Sequence, residues 1–143
     1  MGGFVLLHTA PGEDRSLAQA AALAAFARMG MPTPRLVRGR NFVLALYPKR
    51  QASEPALQQF PNGDFVCACG TLIYENKVGK PAAAAFYGDC GGRSTPCDKA
   101  LGHYAVILHK DGKTEILPDG FGGFLVFSFT TRRDASRRPR SWQ

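Results

Sequence analysis

Residues 103–117 read His-Tyr-Ala-Val-Ile-Leu-His-Lys-Asp-Gly-Lys-Thr-Glu-Ile-Leu, two β-rich runs on either side of a four-residue polar link. Asp111-Gly112 supplies the two positive φ angles that a two-residue type I′ turn requires, so the stretch predicts a β-hairpin. Five further runs have strand character: Gly2–His8, Asn41–Tyr47, Asp64–Tyr74, Ala83–Tyr87 and Gly123–Phe129. Each is rich in β-branched, aromatic or other apolar residues and bounded by turn formers. Pro61-Asn62-Gly63-Asp64 reads as the turn before one of them.

Against these strands stands one long helical pattern. Leu17, Ala20, Ala21, Ala24 and Ala25 recur at helical spacing between Ser16 and Met29. Asp14 or Ser16 is available as N-cap, and Gly30 is placed to close the C-terminus. One helix near the start followed by mostly antiparallel strands predicts an α+β domain with the helix packed on a sheet face. Gly88–Asp98, with three glycines and Pro96, reads as an irregular loop.

A chain of 143 residues is the size of one ordinary domain. No apolar run approaches the roughly 18 residues of a membrane-spanning helix, and no membrane partner is expected. Gly2 invites a myristoylation reading, but the sixth residue is Leu6 where that signal requires serine or threonine. With no secretory leader pattern, the expected location is the cytoplasm. The formal charge is +7, of which residues 132–140 contribute +4 through five arginines against Asp134, leaving +3 for the remainder. Residues 130–143 therefore read as a basic, disordered tail, whose phosphate-binding capacity makes nucleic acid only a weak candidate partner.

Cys67, Cys69, Cys90 and Cys97 raise the question of a metal site. A one-residue gap and a six-residue gap do not fit the common zinc spacings, so no metal and no cofactor is expected. Cys67 and Cys69 share one strand face, where thiols behave as small hydrophobes. Cys90 is the candidate reactive thiol, because the loop Asp89-Cys90-Gly91-Gly92-Arg93 offers exposed amides and a cation that lower a thiol pKa.

Four stretches, in their order, resemble the class II glutamine amidotransferase domain of asparagine synthetase-like proteins. Met1-Gly2-Gly3-Phe4 resembles the family's Met-Cys-Gly-Ile start, and Leu44–Arg50 the strand carrying the arginine that binds the glutamine carboxylate. Cys69-Gly70-Thr71-Leu72-Ile73-Tyr74-Glu75-Asn76 resembles the Asn-Gly-Glu-Ile-Tyr-Asn segment. Leu117-Pro118-Asp119-Gly120-Phe121-Gly122-Gly123-Phe124 resembles the Arg-Asp-Arg-Leu-Gly-Ile-Lys-Pro turn. The resemblance implies a glutaminase-like domain over residues 1–129, built as Ntn-hydrolase-like layered antiparallel sheets.

It also implies a degenerate site. Gly2 stands where the family has its nucleophilic cysteine, Cys69 where it has the oxyanion-hole asparagine, and Leu72 where a glutamate recognises the substrate amine. Gly70 still offers a backbone N–H. The expectation is a noncatalytic domain, a structural or binding partner of a separate ATP-dependent synthetase domain, since the Ser-Gly-Gly-x-Asp-Ser pyrophosphate loop of such domains is absent from this sequence. Two other readings stay open: an amidohydrolase with a relocated nucleophile at Cys90 or Cys69, and a nucleic-acid binder acting through the basic tail. If the strand at 123–129 has no following strand, its edge is expected to be covered in a homo-oligomer or partner complex.

Overall fold

A computed structural model of the chain describes residues 2–10, 12–49, 54–91 and 96–128. It is an α+β structure in four layers. The first sheet contains β1 (Gly3–His8), β2 (Arg35–Arg38) and β3 (Phe42–Tyr47) in the order β1-β3-β2. The second contains β4 (Ala56–Gln59), β5 (Phe65–Gly70), β8 (Tyr104–Lys110) and β9 (Lys113–Pro118) in the order β4-β5-β8-β9. Every pairing in both sheets is antiparallel. Between β5 and β8 lie a small hairpin, β6 (Ile73–Tyr74) with β7 (Lys77–Val78), and a helix.

The layers follow from the period-two alternation of the strands. Phe42, Leu44 and Leu46 of β3, with Phe4 and Leu6 of β1, face Phe65, Cys67 and Cys69 of β5 and Ile107 of β8, and this set forms the interior of the sandwich. Val66, Val106 and Leu108 point the other way, into a second core against Leu72, Tyr74, Ala82, Ala83, Phe86 and Tyr104. The outer face of the first sheet carries α1 (Ser16–Arg28), whose Phe26 stacks on Tyr47 at 4.7 Å between ring centroids.

Helix α1 ends one residue before the expected Met29, and Gly30, at φ 76°, follows the last turn. At its start Asp14 Oδ1 accepts the Ser16 N–H at 2.9 Å. The hairpin is present as β8–β9, and both turn residues have positive φ, 52° at Asp111 and 76° at Gly112.

Three expectations are corrected. Ala83–Tyr87 is not a strand: it lies inside α2 (Gly79–Asp89), so the chain has a second substantial helix. Pro81 occupies the first turn, where its missing N–H costs nothing, and Ala82–Ala85 have the highest helix propensity available. Residues 123–128 form no strand, and Phe121, Leu125 and Phe127 are largely exposed. Gly88–Asp89 close α2, and Pro96–Lys99 form a short 3₁₀ turn, so the expected loop is structured at both described ends. Three short strands, β2, β4 and β7, fall outside the expected runs. The basic tail at 130–143 lies outside the described residues, and among those described no helix is long and apolar enough to cross a membrane.

The last turn of α2 contains no basic residue of its own. Its C-terminal carbonyls are met instead by Lys110 from the end of β8, whose Nζ donates to Cys90 O and to Tyr87 O and sits 4.6 Å from the Tyr87 ring centroid. A cation at this position opposes the negative end of the helix dipole.

Gly112→Val forces a β-branched residue to positive φ and is expected to cost about 1 kcal/mol or more. Urea unfolding measures it. An unchanged midpoint would mean that the β8–β9 turn does not specify the hairpin.

Candidate functional site

The four stretches singled out in the sequence meet at one end of the sandwich. A pocket of about 380 Å³ opens there, and Gly2, Tyr47, Lys49, Cys69, Gly70 and Leu72 are among its lining residues. It falls within the general size range of small-ligand pockets. The register explains the convergence. Gly3 pairs with Tyr47, bringing the start of β1 to the end of β3, and Gly70 pairs with Tyr104 at the end of β5. Cys69 Sγ lies 3.7 Å from Gly3 O, in donor position toward it, linking the two sheets at the pocket.

Gly2 is buried, and a Cβ built on it would lie 2.8 Å from Tyr47 O. Position 2 thus has neither a nucleophile nor room for a side chain in this backbone arrangement. Gly70, at φ 83°, is equally committed: a Cβ there would meet His103 O and the Phe124 ring. Leu72 is buried in the second core, so it contributes an apolar wall and no charge. A cation does stand at the pocket, since Lys49 lines it and donates to Thr71 Oγ1 at 2.6 Å. Arg50, the residue expected from the Leu44–Arg50 stretch, lies outside the described residues.

The fourth stretch closes this end of the molecule through Asp119. Its carboxylate accepts four backbone N–H groups, from Tyr104 at 3.2 Å, Phe121 at 3.0 Å, Gly123 at 2.9 Å and Phe124 at 2.9 Å. The Gly123 amide above all, with the other three opposing the effect of burial, holds the Asp119 carboxyl below the usual value of 3.8. The folded turn brings Phe124 against Gly70 and parallel to Phe4, with ring centroids 6.5 Å apart. The signal in the sequence is an aspartate opening a glycine-rich turn, a recognisable N–H collector.

Cys90 is not part of this pocket. It lies at the C-terminal end of α2 within the second core, only 8% exposed. Burial pushes its thiol up to about 11, outweighing the opposite pull of Lys110. This is the reverse of the direction expected for an exposed loop, because residues 88–90 end a helix on the inner side. The Cys67 thiol is likewise pushed well above its usual value, by its hydrogen bond with Cys69 and by burial between the sheets. The chain matches no protein-family model, no curated protein and no solved structure.

Two outcomes test this geometry. Because the folded pKa of Asp119 is depressed, its contribution to stability is present above about pH 3.8 and is lost as pH falls through the folded value. Asp119→Asn should therefore lower the melting temperature at pH 7 and differ progressively less from the parent below pH 3.8. A difference independent of pH would show that the carboxylate charge is not what the amides hold. For Cys90, iodoacetamide at pH 7.5 should alkylate the folded protein much more slowly than the unfolded chain, read by peptide mass spectrometry. Equal rates would mean the thiol is neither buried nor raised.

Proposed function

We propose that this chain is a noncatalytic glutamine amidotransferase-like domain of the asparagine synthetase-related kind, acting as structural or binding partner of a separate ATP-dependent synthetase domain. The observation that carries the reading is that three of the four family-like stretches line one pocket and the fourth packs on them through Phe124 against Gly70 and Phe4, with Gly2 at the position of the nucleophile and no space for a Cβ beside Tyr47 O. The layer order α1, three-stranded sheet, four-stranded sheet, α2 supports an Ntn-hydrolase-like arrangement. Amide hydrolysis by that family's route needs a terminal thiolate whose own amine serves as base. Glycine supplies neither.

What the pocket retains is recognition chemistry. Lys49 and Thr71 offer donors and Glu54 a carboxylate to a polar ligand, and Leu46, Leu72 and Val78 supply apolar lining. Such a site binds without turning over. The exposed apolar side chains Phe121, Leu125 and Phe127 lie in and after the Asp119 turn, on either side of Phe124, and provide the docking surface on this reading.

A second reading, an amidohydrolase with a relocated thiol, is favoured by the presence of Cys69 in the pocket. Ammonia release from glutamine and asparagine separates the two. The parent and Gly2→Cys are both expected to remain at the buffer rate, and Gly2→Cys should also melt lower because its Cβ presses on Tyr47 O. Turnover abolished by Cys69→Ser would overturn the noncatalytic reading. Sedimentation at high micromolar concentration tests the docking surface: an associating parent should become monomeric on Leu125→Asp with Phe127→Asp. Association unaffected by both changes would remove that surface from the proposal.

A further inference from the structure

At the other ends of β3 and β5 lies a second pocket, of about 490 Å³, lined by residues that include His8, Arg38, Arg40, Asn41, Phe65 and His109. Its charge is one-sided. Two guanidinium groups line it, no carboxylate does, and neither Arg38 nor Arg40 has an ion-pair partner among the described residues. Arg38 Nη1 reaches only the neutral Gln19 Oε1 at 3.3 Å, in donor position toward it. Asp64, whose carboxylate interacts electrostatically with His109, and Asp111 adjoin lining residues in sequence without themselves lining the pocket. Asp64 accepts from the Tyr87 hydroxyl at 2.7 Å and the Asn62 amide at 3.1 Å, and Asp111 sits in the β8–β9 turn.

The walls are held in place. Arg38 and Arg40 flank Gly39 in the turn between β2 and β3, where Gly39 N–H donates to Phe42 O at 3.0 Å. Its residue 39 backbone also accepts Arg15 Nη2 at 3.2 Å, and a Cβ at that position would strike the Phe42 ring. Thr9 N–H fixes the next residue through Asn41 O at 2.9 Å. On the opposite wall the His109 ring stacks on Phe65, 5.5 Å between centroids and 10° from parallel, with its Nδ1 2.8 Å from Thr114 Oγ1. Guanidinium forks mounted on a turn fixed from three sides match the geometry of phosphate oxygens, and exposed arginines without a carboxylate keep that capacity free.

We infer that this second pocket is a binding site for a small phosphate-bearing anion, held by Arg38 and Arg40 with Asn41 and His109 as further polar contacts. It is separate from the Gly2 pocket and does not depend on any assignment made there. The size of the cavity accommodates a diphosphate or a mononucleotide.

Isothermal titration of the full chain with inorganic pyrophosphate and with adenosine monophosphate tests it, inorganic phosphate serving as the minimal probe. Pyrophosphate is expected to bind at micromolar concentration. Affinity should fall at least tenfold in Arg40→Gln and further in the double Arg38→Gln, Arg40→Gln variant, with melting temperature unchanged because both side chains are exposed. Arg38→Lys with Arg40→Lys keeps the charge and loses the forks, and should weaken binding severalfold. Arg28→Gln, an equal charge change on α1, should have no effect. Tighter binding of the monophosphate nucleotide than of pyrophosphate would assign a nucleotide; the converse assigns the diphosphate group itself. No binding of any probe at millimolar concentration, or an equal loss in Arg28→Gln, overturns the site. So does binding confined to single-stranded nucleic acid that survives the double substitution.

Discussion

The pairing of β5 with β8 is the constraint on which the remaining structure rests. Cys67 opposite Ile107 and Val66 opposite Leu108 place apolar groups on both faces of one antiparallel pair. A strand pair with two buried faces needs a cover on each side. The first sheet supplies one through Phe42, Leu44 and Leu46, and α2 supplies the other through Ala82, Ala83 and Phe86. Removing Phe86 would open a cavity in the second core at a cost of roughly 3–5 kcal/mol, a large share of the stability of a small domain. The two pockets lie at opposite ends of β3 and β5.

One end is organised by backbone groups more than by side-chain chemistry. Asp119 gathers four amides, Gly70 leaves its Cβ space to Phe124 and His103 O, and Gly2 leaves its own to Tyr47 O. At the other end the character is cationic, with Arg38 and Arg40 displayed on a turn fixed by Arg15 and Gly39. A pocket crowded with main chain discriminates by shape, whereas one rimmed with guanidinium groups discriminates by charge.

The sequence carried the hairpin and α1 legibly, because each combines an unbroken pattern with a terminating residue of special backbone conformation, Asp111-Gly112 or Gly30, and it carried β1 and β3 through their continuous apolar runs. It concealed α2. Phe86-Tyr87 resembles a strand end, and Pro81 resembles a breaker until its place in the first turn is known. The edge strands β2 and β4 span four residues each and include Arg35, Arg38, Gln58 and Gln59, too short and polar for alternation to stand out. Phe124 to Phe127 has strand composition, yet the amides of Phe121, Gly123 and Phe124 are taken by Asp119, so the chain turns where a ladder would need them. Gly2, Cys69 and Gly70 were legible as a group through motif order. The second pocket was not, since its turn, strand end and hairpin residues come from His8, residues 37–42, Gln59 to Phe65 and His109 to Thr114.

The reach of Lys110 to the end of α2 sets how the molecule opens. A helix of 11 residues is marginal in isolation, and here the group that opposes its C-terminal dipole is delivered from a strand 20 positions further along the chain, on Cys90 O. The C-terminus of α2 therefore depends for its cation on the end of β8, and the same side chain gives that strand end its contact with Tyr87. Helix end and hairpin end are thus tied through a single side chain, and loss of the Lys110 ammonium would loosen both at once.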